Sequence, residues 1–117
     1  MLQYFWPALR ACYMKKFPGR ALFLTCTHRT PEEQQAIFAQ NKPGHILTRC
    51  DGINNLSKHN YSPAQAFDVA VSEKGIVQWD PSYYLPLGAM IKELGYETKV
   101  RWGGHFSFRD YPHFEAI

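Results

Sequence analysis

Ser57-Lys58-His59-Asn60-Tyr61-Ser62-Pro63-Ala64-Gln65-Ala66-Phe67-Asp68 is the stretch on which the reading of this 117-residue chain turns. It sets an imidazole, His59, nine residues before a carboxylate, Asp68, and the residues that follow have the composition of a strand. Side chains alternate along a strand, so Phe67, Val69 and Val71 belong to one face and Ala66, Asp68 and Ala70 to the other. The carboxylate therefore sits on a face with room beside it. A second polar cluster, Asp110-Tyr111-Pro112-His113-Phe114-Glu115, closes the sequence.

Working outward toward the start, Leu2, Phe5, Trp6, Leu9, Cys12 and Tyr13 recur at three- and four-residue steps and predict an amphipathic packing helix within residues 1–18, stopped by Pro18-Gly19. Ala21 to Thr25 predicts a buried strand. Thr30-Pro31-Glu32-Glu33 combines an N-cap hydroxyl, a proline at the first helical position and a glutamate three residues after the cap, so a helix starts there and runs to about Gln40. Arg29 is thereby held between a strand end and a helix start, aimed at a cleft or left on the surface. Asn41 to Asn55 is loop-rich, with a short strand at His45 to Thr48.

Toward the other end, a turn over Ser72 to Gly75 leads to a partner strand, Ile76 to Trp79. Asp80-Pro81 signals a helix start, with its regular part from Tyr84 and its buried stripe at Leu87, Met90, Ile91 and Leu94 before Gly95. Lys99 to Trp102 is read as strand, Gly103-Gly104 as a turn, and Tyr111 to Glu115 as strand. Separated helices and short strands predict an α+β fold, a small antiparallel sheet flanked by helices.

The length allows one domain, residues 1–117, and predicts no second module. An apolar share of 45% with 15% aromatics excludes a disordered chain. The net charge of +3 is mildly basic but forms no block, which predicts no nucleic-acid partner and leaves open a soluble surface or a polyanionic neighbourhood such as a bacterial envelope. Three widely spaced cysteines argue against both a disulfide framework and a Cys-x-x-Cys zinc site. Cys26, in an apolar run, is expected in the core. The stretch before Pro18 lacks early positive charge and a small-residue cleavage site, and no run approaches the roughly 18 apolar residues of a membrane span. The expectation is a monomer made in the cytoplasm without a signal peptide or stable membrane insertion.

His59, Asp68 and His113 supply two imidazole nitrogens and a carboxylate, a three-ligand set that would hold zinc with a position open for water. Water on such an ion is acidified toward neutrality and needs a partner for its proton. Asp110 fits that role provided the chain turns at Tyr111-Pro112, because residues three apart on a straight strand face opposite ways. Glu115 shares the strand face of His113 and either holds that imidazole or is an exposed carboxylate. Non-haem iron sites commonly place the first histidine and the carboxylate two residues apart, so the spacing of nine favours zinc. His105, after the double glycine, is a further candidate to line the cleft. Composition and spacing alone leave both a metal site and an incidental His-Asp pair open.

In combination these motifs resemble the zinc D-Ala-D-Ala carboxypeptidases and dipeptidases and the phage endolysins that cut the L-alanyl-D-glutamate bond, which share the Hedgehog/D,D-peptidase fold. The family pattern appears here as Ser57-x-His59, Ala66-x-Asp68 and Asp110-x-x-His113. Thr27-His28-Arg29-Thr30 with Gln34, Thr48, and Trp102-Gly103-Gly104 are further matches, and the resemblance spans roughly residues 20 to 117. It implies zinc ligands His59, Asp68 and His113, an acid/base Asp110, an oxyanion-stabilising or substrate-binding Arg29, and substrate contacts from Ser57, Gln34 and Trp102, with Glu115 behind His113. The implied partner is bacterial peptidoglycan, reached at the cell wall after release from the cytoplasm. The implied activity is L-alanyl-D-glutamate hydrolysis in phage or prophage lysis, the alternatives being a D-Ala-D-Ala carboxypeptidase or a non-catalytic metal-bearing binding module. The loop from His59 to Asp68 is two residues longer than the family's and lacks its glycine. On this reading Asn60 to Pro63 rims the cleft and carries a specificity of its own.

Overall fold

The apolar face of the strand after Ser57–Gln65 is the spine of the molecule. In a computed structural model describing residues 1–117, the order of elements is helix α1 (Leu2–Lys16), strand β1 (Arg20–Cys26), helix α2 (Pro31–Phe38), strands β2 (Ala66–Glu73) and β3 (Ile76–Gln78), helix α3 (Leu85–Glu93), and strands β4 (Val100–Trp102) and β5 (His113–Ala116). Three single 3₁₀ turns, Lys58–Asn60, Pro81–Tyr83 and Gly103–His105, join them. All strand pairings are antiparallel. One edge of β2 pairs with β1, while its other edge is divided between β5 at Ala66–Asp68 and β3 at Val71–Glu73, and β4 pairs with β5.

Burial follows the alternation expected for β2. Phe67, Val69 and Val71 enter one core with Phe5, Leu9 and Tyr13 of α1, Leu87, Met90 and Ile91 of α3, and Phe114 of β5. Phe67 stacks on Phe114 with ring centroids 5.2 Å apart, and Phe5 lies 6.1 and 6.0 Å from the two rings. Each such ring contributes about 1.5–3 kcal/mol by leaving water, before the packing gain is counted. That contact locks β5 to β2, and with it the pairing of Asp68 opposite His113.

Local chemistry explains the element ends. Thr30 Oγ1 accepts from Glu33 N–H at 3.1 Å while Glu33 Oε1 accepts from Thr30 N–H at 3.0 Å, the reciprocal cap expected of α2. The β2–β3 hairpin needs only Lys74-Gly75, both with positive φ of 54° and 76°, so β2 runs two residues further than expected and the turn is tighter. Gly103-Gly104 opens a 3₁₀ turn, and Tyr111-Pro112 is a turn, so β5 begins only at His113. The strand expected at His45 to Thr48 is absent. Only a Lys42–His45 bridge forms, because Asn41 caps the segment instead, taking Leu47 N–H at 2.8 Å and donating to Thr48 O at 2.6 Å.

Candidate active site

A reciprocal cap builds the first half of the site. Ser57 Oγ accepts from His59 N–H at 3.2 Å and Asn60 Oδ1 accepts from Ser57 N–H at 2.8 Å, which fixes the 3₁₀ turn carrying His59. The turn is tied to the strand-to-helix corner of Arg29: Arg29 N–H donates to His59 O at 2.8 Å, and Asn60 Nδ2 donates to Arg29 O at 2.8 Å. His59 and Arg29 are therefore positioned by one shared hydrogen-bonded corner. His59 is buried, at 2% exposure.

Sheet register builds the second half. Asp68 on β2 faces His113 on β5, and the two imidazoles meet the same carboxylate oxygen: His59 Nε2 lies 3.2 Å and His113 Nδ1 2.9 Å from Asp68 Oδ1. The rings stand edge to face with centroids 5.1 Å apart. The other nitrogen of each ring is also engaged. His59 Nδ1 lies 2.6 Å from Thr27 O, and His113 Nε2 lies 2.8 Å from Glu115 Oε1. A carbonyl and a carboxylate can only accept, so those two nitrogens carry the hydrogens. In the neutral rings the remaining lone pairs, on His59 Nε2 and His113 Nδ1, are directed at a third acceptor, Asp68. Acceptors converging on one carboxylate oxygen are reconciled by a cation, either a proton on a ring or a metal ion, and imidazole nitrogens with carboxylate oxygen are donors that metal ions take.

Electrostatics reflect that convergence. Burial opposes ionisation of Asp68, but its close contacts with His113 and His59, in their charged forms, outweigh it and hold the carboxyl well below the usual range. His113 loses charge-stabilising water, yet its contacts with Asp68 and Glu115 lift its pKa to about 9. For Glu115, burial is likewise overcome by His113 and then Arg101, whose Nη2 lies 3.1 Å from Oε2, and its pKa is lowered. Partial desolvation, reinforced by the charge on Asp68, raises Asp110.

Asp110 shares the cleft because the chain does turn at Tyr111-Pro112: His113 N–H donates to Asp110 O at 3.1 Å. Asp68, Asp110 and His113 each offer a ligand atom within 4.8 Å of the others, and Cys26, His59 and Asp68 form a second such cluster. The turn is seated on the double glycine. Asp110 N–H donates to Gly103 O at 2.9 Å, and a Cβ on Gly103 would overlap the Asp110 carbonyl oxygen. Asp110, Arg29, His59, Asp68, His113, Glu115 and Ser57 all line one cleft of about 630 Å³.

Several sequence expectations are corrected here. Gln34 is wholly buried, its amide accepting from Arg29 Nη1 at 2.8 Å and donating to Thr48 Oγ1 and Cys50 O, so it orients Arg29 and meets no substrate. Trp102, 4% exposed, packs in the core and donates from Nε1 to Tyr111 O at 2.7 Å, holding the turn of Asp110 from behind. His105 packs edge-on against Trp102 and lines a groove beside α3 instead of the cleft. Ser57 acts through its cap on His59, although it remains at the cleft wall. Of Asn60 to Pro63, expected to rim the cleft, Tyr61, Ser62 and Pro63 line a separate apolar groove with Met1, Leu2 and Trp6, while Asn60 is spent holding Ser57 and Arg29.

Cys26 is the residue that sequence reasoning misplaced. A register shift between Leu24 and Cys26 sets Cys26 opposite Asp68, on the polar face, with Sγ 3.6 Å from Arg29 Nη2 and 3.7 Å from His59 Nδ1. A bulge reverses alternation, and nothing in the run Ala21–Cys26 signals one. Arg49, Leu47 and Phe108, which also line the cleft, lie outside any motif, and Lys58 is the unassigned middle residue of Ser57-x-His59.

Known proteins resemble this chain in sequence and in fold. Residues 51–116 match the family model described as D-alanyl-D-alanine carboxypeptidase. The chain is 34% identical to the peptidoglycan L-alanyl-D-glutamate endopeptidase CwlK of Bacillus subtilis (strain 168), an alignment covering 94% of this chain and 68% of that protein. Its fold matches the crystal structure of the L-Ala D-Glu endopeptidase ChiX of Serratia marcescens with a TM-score of 0.64 at 22% identity, over 95% of this chain and 79% of that one. A family model spanning more than half of the residues, joined by a relative aligned over nearly all of them, establishes that the chain belongs to the D-alanyl-D-alanine carboxypeptidase family of peptidoglycan-hydrolysing metallopeptidases.

Proposed function

We propose that the protein is a zinc-dependent endopeptidase that hydrolyses the L-alanyl-D-glutamate bond of the peptidoglycan stem peptide, as an endolysin-like enzyme of phage or prophage lysis. The observation that carries the metal assignment is the aim of two imidazole lone pairs at Asp68, with Thr27 O and Glu115 fixing the tautomers. His59, Asp68 and His113 would hold the ion. When bound, zinc supplies Lewis acidity that brings water near a neutral pKa and polarises the scissile carbonyl. Asp110, beside that position, takes the proton of the attacking water and returns it to the leaving amine. Arg29, steadied by Gln34 with Nη2 3.9 Å from Asp68 Oδ2, donates to the carbonyl oxygen as negative charge develops there.

The choice of bond rests on CwlK, while the family description favours release of D-alanine as the second reading. Digestion of purified peptidoglycan with and without chelator, followed by mass spectrometry of the new termini, separates them. A new D-glutamate amine supports the endopeptidase, free D-alanine supports the carboxypeptidase, and no product favours a binding module. Metal analysis expects about one zinc per chain, lost in His59→Ala and Asp68→Ala; unchanged zinc in both refutes the ligand set. The same proposal has the protein made in the cytoplasm and meeting the wall after release, which fractionation of expressing cells before and after membrane permeabilisation tests.

A further inference from the structure

We propose that Arg49, assisted by Lys58, recognises a carboxylate on the substrate residue that contributes the leaving amine. The inference rests on the peptidase reading above and names a specificity determinant of the same cleft. Three cationic side chains line that cleft, Arg29, Arg49 and Lys58. Arg29 is engaged by Gln34, Cys26 and Asp68. Arg49 and Lys58 take part in none of the ion pairs of the molecule; of the cleft carboxylates, Asp68 and Glu115 already have partners, and Asp110 lies beyond ion-pair distance of both cations.

The side chain of Arg49 is exposed to the cleft mouth, but its backbone is pinned on both sides. The carbonyl before it, Thr48 O, accepts from Asn41 Nδ2 at 2.6 Å; its own carbonyl accepts from Asn55 Nδ2 at 2.8 Å; Cys50 N–H donates to Thr48 Oγ1 at 3.1 Å. Its guanidinium lies over the ring of Phe108, 5.6 Å from the centroid, on the segment that leads into Asp110. A guanidinium held over an aromatic ring by cation–π attraction still has N–H groups free for a two-pronged carboxylate contact. Chemistry supplies that carboxylate whichever bond is cut: glutamate linked through one carboxyl keeps the other, and a terminal alanine keeps its own. In both, the anion lies on the residue whose nitrogen leaves.

The test uses paired synthetic stem peptides that carry either a free carboxylate or a carboxamide on the residue after the scissile bond. Zinc-loaded wild type is expected to favour the carboxylate by about tenfold to a hundredfold in kcat/KM, the range of one charge-assisted bidentate contact. Arg49→Gln should abolish that preference by losing rate on the carboxylate peptide alone, Arg49→Lys should keep part of it, and Lys58→Gln should lower it by about threefold. Equal losses on both peptides, an undiminished preference in Arg49→Gln, or no preference in wild type overturns the proposal. Calorimetric binding of the same peptides to the Asp110→Asn variant, with and without Arg49→Gln, judges recognition apart from hydrolysis. Discrimination in binding without cleavage upholds Arg49 while the hydrolytic reading falls, and binding of neither peptide overturns it.

Discussion

Replacing Glu115 with alanine should loosen metal binding without touching a ligand. Glu115 Oε1 accepts from His113 Nε2 at 2.8 Å, and that bond keeps the Nδ1 lone pair toward Asp68. Without it the ring is free to carry its hydrogen on Nδ1, the wrong nitrogen for a ligand. Loss of such a supporting contact weakens metal affinity about 10–100-fold, roughly 1.4–2.8 kcal/mol. The fold pays separately, since a buried Nε2 left without a partner costs about 1–3 kcal/mol. The pair between Glu115 and half-exposed Arg101 adds only about 0–1 kcal/mol. Glu115→Gln, whose amide oxygen still accepts from Nε2, should lose much less of both. The assay is competition for zinc against a chromophoric chelator, alongside thermal unfolding of the metal-free proteins. Wild-type affinity in Glu115→Ala, or equal weakening in the two variants, would refute the tautomer argument.

Asp110→Asn should retain zinc and melting temperature while hydrolysis falls by about 10²–10⁴-fold, as expected for removal of a general acid/base; an active variant removes Asp110 from the chemistry. Gly103→Ala should push the Asp110–His113 turn off its seat, costing about 1–3 kcal/mol by overpacking and reducing kcat by about 100-fold through misplacement, which a variant with wild-type kcat would disprove. Asp51 caps the N–H groups of Ile53, Asn55 and Asn54, which hold its carboxyl below the ordinary range. A depressed native pKa gives stability that is complete above the unfolded value near 4 and lost as pH falls through the native one. The melting temperature of Asp51→Asn should therefore depend less on pH than wild type over the acid range, and parallel profiles would contradict the cap.

Local signals survived into the structure wherever short-range chemistry decided the outcome. The Thr30–Glu33 cap, the β2 alternation and the Tyr111-Pro112 turn each depend on residues within a few positions, and each is present. Long-range facts were not legible. Gln34 reads as a polar helix residue, yet α2 presses it into a loop whose backbone it serves. Cys26 reads as core until a bulge turns it toward His59, and Asn60 to Pro63 reads as a cleft rim until Tyr61, Ser62 and Pro63 are seen against the start of α1. Arg49 carries no motif at all. Only the folding of Asn41–Asn55 across from Phe108 brings it to the cleft.

The facing pair Asp68 and His113 closes a loop of 45 residues and joins β5 to β2. The pair is a clasp as well as a ligand set, because whatever cation it shares must also bear on how firmly β5 stays docked. Occupancy and strand docking then form one equilibrium: each ligand gained pins the β5 edge, and each loosening of that edge scatters the ligands. Hydrogen exchange at Phe114 and Glu115 would read the state of the centre from the backbone alone.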